Sequence, residues 1–372
     1  MTSAQAALEE LETEYATFVP HEEVDIAIIG GQIPLEIFEA AGLTWRGMRG
    51  VPGQTSLSDA YYGSIQDNWG RSLLHLILSH VWPIRCAIVI SNEGDASRRL
   101  FHFLSEIART GAASVPDIHF YDVQPQRRPT SVTYNEQVLR RLITATEGWC
   151  GQKISEESLS QARNAFMASQ HKEWEFLRGR RETPASIPGT LALKIKASHL
   201  LLSNSARITL LESLNAPKAF PERPAAKRVF VTGSMLETDG LYIEMQKLGF
   251  EVVGENTAWG MAPVTRDETS GFTSANELLE LYNNVDNQSS LIPIEVRITN
   301  TINSAVQLDA DLIVSIVAAG DSSRWDYPSL NRAALAHGID SALVELPALS
   351  ATEADETVLG QLLAPLVGTP GV

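Results

Sequence analysis

Short, unbroken apolar runs alternate along this chain with longer stretches in which apolar residues recur at helical spacing. That is the pattern of a parallel sheet with crossover helices. In the first third, VDIAIIG ends at Gly30, and PLEIFEAAGL reads as a helix closed by Gly42. CAIVIS, from Cys86, and DIHFYDV, from Asp117, read as the next strands, with the helix ASRRLFHFLSEIART between them. From about Asn135 to Ala216 helical segments dominate: EESLSQARNAFMASQHKEWEFLRGRR, a break at ETPASIPG, then TLALKIKASHLLLSNSARITLLESL. Strands return with RVFVTG, FEVVGE, DADLIVSIVAAG and DSALVELP, separated by the helices LYIEMQKLGF, SANELLELYNN, VRITNTINSAVQL and NRAALAHG.

The two halves repeat one scheme of strand, Gly turn and helix. The expected fold is α/β, with two doubly wound, flavodoxin- or Rossmann-like parallel-sheet domains facing a cleft and a helical connecting region. The expected boundaries are an N-terminal helix over 1–22, a first α/β domain over 23–134, a helical region over 135–216, a Pro-rich linker over 217–227 and a second α/β domain over 228–372.

Charge narrows the partners. A formal net charge of −16 argues against a nucleic-acid binder and an anionic membrane surface, because both need clustered Lys and Arg. A small anionic ligand remains compatible, held by a few Arg residues or a helix N-terminus. The first residues, MTSAQAALEELETEY, are acidic and carry no signal-peptide pattern, and no apolar run is long enough to span a bilayer. The only cysteines are Cys86, within an apolar run, and Cys150. No disulfide framework is indicated, so the expected location is the cytoplasm.

Candidate chemistry sits where strands end, since ligands of open α/β sheets bind outside the carboxyl ends of the strands. Four loops qualify: Gly30-Gly31-Gln32 leading to Glu36, Ser91-Asn92-Glu93-Gly94-Asp95, Thr232-Gly233-Ser234, and Ala318-Ala319-Gly320-Asp321. The candidate substrate-binding residues are Gly30, Gly31, Gln32, Ser91, Asn92, Gly233 and Ser234; the candidate general acids or bases are Glu36, Glu93, Asp95 and Asp321. Ser, Asn and Asp at such places also serve as ordinary helix caps. GxGxxG after the first strand, GxxxxGK[ST], HExxH, CxxC and GxSxG are all missing, and no metal site is expected from the scattered histidines.

Several segments, in order, resemble the 2-hydroxyacyl-CoA dehydratase and benzoyl-CoA reductase family. Pro34-Leu35-Glu36 through Ala41-Gly42-Leu43 resembles its early "P-x-E … A-G-L" helix; Ser58-Asp59-Ala60-Tyr61 and Gly70-Arg71-Ser72 resemble the segment near its first cluster cysteine. Ser91-Asn92-Glu93-Gly94-Asp95 with Arg98-Arg99-Leu100 resembles "N-T-C-D … R-R-L-Y". Pro184 through Gly189 is similar to its proline-rich break, and Arg228 through Ser234 to "R-V-L-L-x-G-S". Gly254-Glu255-Asn256 is similar to its acidic loop, and Asp326-Tyr327-Pro328 to its late "D-Y-P".

The resemblance implies acyl-CoA as ligand and, in the family, an iron–sulfur cluster that passes an electron to the thioester. At the positions that it assigns to the cluster cysteines this chain has Asp67, Gly94 and Gly320, so no cofactor is expected on the chain itself. A [4Fe–4S] cluster is then expected only on a paralogous partner subunit, in a heterodimer or larger complex. Three readings follow: a cluster-free subunit beside that partner, a non-redox acyl-CoA lyase, hydratase or isomerase, and an acyl-CoA-binding protein or one holding a metal through oxygen ligands. Trp69 and Trp325 flank former ligand positions and are expected to pack, either into the vacated space or into a core.

Overall fold

The computed structural model describes the chain except residues 1–2, 18, 21, 52, 63–67, 126–127, 215–225, 235–237, 258–274, 284–290, 319–320, 347–358 and 364–372. Asp67, Gly320 and most of the expected linker therefore lie outside the described residues. In order, the elements are α1 (Ser3–Ala16), β1 (Val24–Ile29), α2 (Glu36–Ala40), β2 (Trp45–Gly47), α3 (Asn68–Leu78), β3 (Ile84–Ser91), α4 (Asp95–Thr110), β4 (Asp117–Tyr121) and α5 (Pro129–Cys150). Next come α6 (Glu156–Leu177), α7 (Gly189–Leu201), α8 (Asn204–Leu214), β5 (Lys227–Gly233), α9 (Gly240–Lys247), β6 (Phe250–Glu255) and α10 (Asn276–Asn283). The last are α11 (Ile294–Gln307), β7 (Leu312–Ala318), α12 (Tyr327–Ala336) and β8 (Asp340–Leu346).

The chain divides into two compact units, each assembled from separate segments. One comprises Met1–Trp174, Ala197–Ala216 and Gly260–Val285; the other comprises Glu175–Lys196, Pro217–Trp259 and Asp286–Val372. Each holds one four-stranded, all-parallel sheet, in the orders β2-β1-β3-β4 and β6-β5-β7-β8. Both orders reverse direction once, between β1 and β3 and between β5 and β7, as in a flavodoxin-like sheet. The expected architecture of two doubly wound parallel-sheet domains is thus present.

Burial explains the sequence pattern. β1, β6 and most of β5 and β7 are covered on both faces, so they read as continuous apolar runs. In the first unit, α3 and α4 bring Leu73, Leu74, Ile77, Leu100 and Leu104 against Ala27, Ile29, Ile88 and Ile90. In the second, α11 and α12 bring Ile302, Ala305, Leu330 and Ala334 against Phe230, Val253 and Ile313. Trp69 packs partly buried against the first of these cores, whereas Trp325 is exposed. The expectation that both would pack is corrected for Trp325: it lies exposed in a turn (Ser322–Asp326) whose other residues are polar or charged. Among the described residues no helix is long and apolar enough to cross a membrane.

One buried group makes the first unit acid-sensitive. His199 on α7 is fully enclosed, edge-on to Phe166 with centroids 5.9 Å apart, and neither ring nitrogen has a hydrogen-bond partner. Burial lowers its pKa to about 4. The unfolded chain, with a His near 6.5, therefore binds the extra proton first. Stability is full above that value and falls as pH drops from about 6.5 to about 4, by about 3 kcal/mol from this residue. His199→Leu removes this loss, so denaturant midpoints at pH 7.5 and pH 5 should lie closer together in the variant than in the wild type.

Candidate functional site

The point where strand order reverses opens a crevice at the carboxyl edge of a parallel sheet. In the first unit that point is bridged by one side chain. Glu93, just beyond β3, accepts a hydrogen bond from the Gly31 backbone N–H, just beyond β1, at 2.6 Å. Gly30 has φ +94°, and a Cβ there would lie 2.8 Å from both Glu93 Oε1 and Ser91 Cβ. Gly30, Gly31, Ser91 and Glu93 are thus brought together, and Gly30 has to be glycine for both conformational and steric reasons.

Asn92 fixes this edge. Its backbone N–H donates to Tyr121 O at 3.0 Å, tying the ends of β3 and β4. Its amide group donates to Asp122, while its Oδ1 accepts from Gly94 N at 3.3 Å and Arg98 Nε at 3.2 Å. Asp122 also accepts from Gln124 and Tyr134. Gly94 precedes α4 with φ 137°, ψ −155°, a conformation open to glycine, and the Glu93 N–H is capped by Ser97 Oγ at 3.0 Å. Gln32 is half-buried nearby in sequence.

The other two acids of this half stand apart from that bridge. Glu36 on α2 is fully enclosed, accepting from Arg163 Nη1 at 3.1 Å and from the Tyr282 hydroxyl at 2.8 Å. Tyr121 Oη and Gln170 Nε2 are buried without partners, and Gln170 Oε1 lies 3.4 Å from Arg163 Nη1. Unpaired polar atoms of this kind are the places where ordered water is expected. Asp95 faces solvent and pairs with Arg99 at 2.9 Å.

In the second unit the reversal is bridged in a related way. The Ser234 hydroxyl, beyond β5, donates to Asp321, beyond β7, and accepts from Ala318 N at 3.0 Å. Asp321 also accepts from Ser323 N at 2.8 Å. Gly233 has φ +110°, and its backbone runs so close to β7 that a Cβ would lie 2.1 Å from Ile316 O.

At the end of β6, Glu255 is buried between Arg180 and Lys196, with Arg180 Nη1 at 2.9 Å, Lys196 Nζ at 2.8 Å and the Tyr242 hydroxyl at 3.2 Å. The sequence places Glu255 only in an acidic loop of the resemblance, not among the site candidates, and gives no sign of Arg180 or Lys196 as its partners. Nor did it find Arg163 and Tyr282, the partners of Glu36, which lie 127 and 246 residues from it along the chain.

The acids differ in what they can do. Burial pushes the Glu93 carboxyl up to about 7, although the bond from Gly31 works against this, so it exchanges a proton near neutrality. Burial also pushes Glu255 up, but Arg180 and Lys196 beside it more than reverse that and hold it far below the usual carboxylate range. For Glu93 the folded pKa is raised above an unfolded value of about 4.3. Its contribution to stability is therefore full below that value and lost as pH rises through 7. Glu93→Gln keeps an acceptor for the Gly31 N–H without a charge, so at pH 8 the variant should be more stable than the wild type by about 3 kcal/mol in urea denaturation, with the difference vanishing below about pH 4.

Neither thiol lies at a strand's carboxyl end. Cys86 is near the start of β3, its Sγ 3.9 Å from Asp25 Oδ1, and Cys150 is the last residue of α5. Among the described residues, no group of three or more His, Cys, Asp or Glu side chains converges as a metal site would require.

No curated protein matches the chain. Residues 31–357 match the family model described as 2-hydroxyglutaryl-CoA dehydratase, D-component. That span takes in both sheets except β1, and the strand-end loops just described from Gly31 onward, so the chain belongs to the 2-hydroxyglutaryl-CoA dehydratase D-component family.

Proposed function

We propose that this protein is a cluster-free subunit of an acyl-CoA dehydratase- or reductase-like complex, shaping a cleft and an interface beside a paralogous subunit that carries the [4Fe–4S] cluster. The observation that carries this reading is the donor set. The whole chain has two thiols, fewer than the four thiolates of a standard [4Fe–4S] cluster and fewer than the three cysteine positions that the resemblance assigns. Both thiols are away from the strand ends, and Gly94, at a position that the resemblance gives to a cluster cysteine, has no side chain to offer. Its φ of 137° further disfavours any side chain there. Family membership as a dehydratase component supports a partner subunit and a CoA thioester as ligand. The test is anaerobic purification from native cells followed by native mass spectrometry. A heteromer with a cysteine-complete paralogue is the expected result; a catalytically active lone protein contradicts it.

A second reading, acid–base chemistry on an acyl-CoA without redox, is favoured by one observation: Glu93 bridges the strand reversal with a carboxyl group that titrates near 7. Under this reading Glu93 accepts or returns a proton at the acyl carbon next to the thioester. The pure chain then turns over an acyl-CoA without reductant or ATP, and kcat/KM breaks near pH 7. Loss of that break in Glu93→Gln supports this reading, and an unchanged pH profile excludes Glu93.

A further inference from the structure

Trp325 is 72 % exposed, more than any other large apolar side chain among the described residues. A tryptophan left to itself folds its ring onto the nearest apolar surface, because the burial gain is large. Here the turn that bears it is pinned at three points. Asp321 accepts from Ser323 N at 2.8 Å, Arg324 Nη1 meets Glu345 Oε1 at 3.0 Å, and Asp326 accepts from Arg297 Nε at 2.9 Å. The Arg324 guanidinium lies over the ring, 5.2 Å from its centroid. The ring is therefore held outward with a cation at one face. The turn leaves β7 at the carboxyl edge of the sheet, and its cap residue, Asp321, is also the group that bridges the strand reversal to Ser234.

We propose that Trp325 is a stacking platform for a planar heterocycle, the purine base of a nucleotide-type ligand; given the acyl-CoA reading above, on which this rests, that base is the adenine of coenzyme A. The immediate surroundings favour a flat small molecule over a protein partner. Protein hot spots sit within a packed apolar ring of neighbours, whereas Trp325 is flanked in its turn by Ser322, Ser323, Arg324 and Asp326. A ring with an exposed face and a fixed mount provides the geometry that base stacking uses, and the ordering cost has already been met by the turn.

Calorimetric titration of the full chain with coenzyme A, and separately with 4′-phosphopantetheine, which lacks the adenosine, tests this. Trp325→Ala should weaken coenzyme A binding roughly tenfold, leave phosphopantetheine binding unchanged, and keep the thermal midpoint, while Trp325→Phe recovers most of the loss. Coenzyme A binding equal to that of the wild type in Trp325→Ala overturns the platform and leaves the acyl-CoA reading standing. Equal loss of both ligands also overturns it, as does loss of a partner subunit with coenzyme A affinity retained. If the wild-type chain binds no coenzyme A, the acyl-CoA reading and the platform fall together.

Discussion

Glu255→Gln lowers the stability of this protein by about 3–5 kcal/mol, because it leaves a buried cation, Arg180, and a half-buried one, Lys196, without their shared carboxylate. The glutamine side chain fills the same space and still accepts a hydrogen bond from Tyr242, so the loss reports charge and not packing. Glu255 also fixes the pH range over which the wild type loses this interaction. Its folded pKa is depressed, so its contribution is present above the unfolded value of about 4.3 and is lost as pH falls below that. Equilibrium urea denaturation at pH 7.5 and pH 4 measures both effects: a large gap between wild type and variant at the higher pH, narrowing at the lower. His199 acts in the same direction over a higher window, from about 6.5 to about 4, so the double variant His199→Leu, Glu255→Gln separates the two.

Gly233→Ala carries a penalty of similar size for a different reason. A Cβ at this position has both a left-handed backbone, φ +110°, and the Ile316 carbonyl oxygen at 2.1 Å. Strain and overlap together come to about 3–5 kcal/mol. That same carbonyl accepts the Ser234 N–H at 2.8 Å, so any shift that relieves the overlap breaks the link between β5 and β7. Gly338→Ala is the control. Its φ is +73° but nothing lies within 4 Å of a Cβ there, so only the backbone cost of about 1 kcal/mol remains. Denaturant midpoints for the pair distinguish close strand approach from conformational strain: equal losses would show that the contact with Ile316 is unimportant.

What could be read from the sequence was what local pattern encodes. Seven of the strands are legible as short apolar runs, four of them because β1, β5, β6 and β7 are covered on both faces along most of their length, and the glycine at the end of β1 and of β5 marks the two strand reversals. β2 is not, since Trp45–Gly47 is too short to form a run and is a strand only because β1 pairs with it. The long helical stretch after Gly189 reads as one helix in the sequence. It breaks into α7 and α8 where the Ser203 hydroxyl caps the Ala206 N–H at 3.3 Å, a polar signal hidden between leucines. The helix expected to run through Arg181 stops at Leu177, where the chain tightens and Arg180 turns in to Glu255.

The site residues divide in the same way. Glu93 and Gly31 belong to strand ends that pattern alone could locate, but their contact joins positions 62 apart and depends on the sheet order. The roles of Glu36 and Glu255 were beyond local reading. A carboxylate behind a proline or at the end of a strand looks like a cap or a candidate acid until its buried partners, Arg163 and Tyr282 or Arg180 and Lys196, are brought in by the fold. Burial decided between these roles, and no pattern at either position encodes it.

Iron and sulfide analysis of the isolated chain, after anaerobic reconstitution with iron and sulfide, decides whether this member of the family works without a cluster of its own. The expected result is neither iron nor sulfide in stoichiometric amount; about four of each per chain, with the visible absorption of a bound cluster, would show that the chain holds the cluster itself.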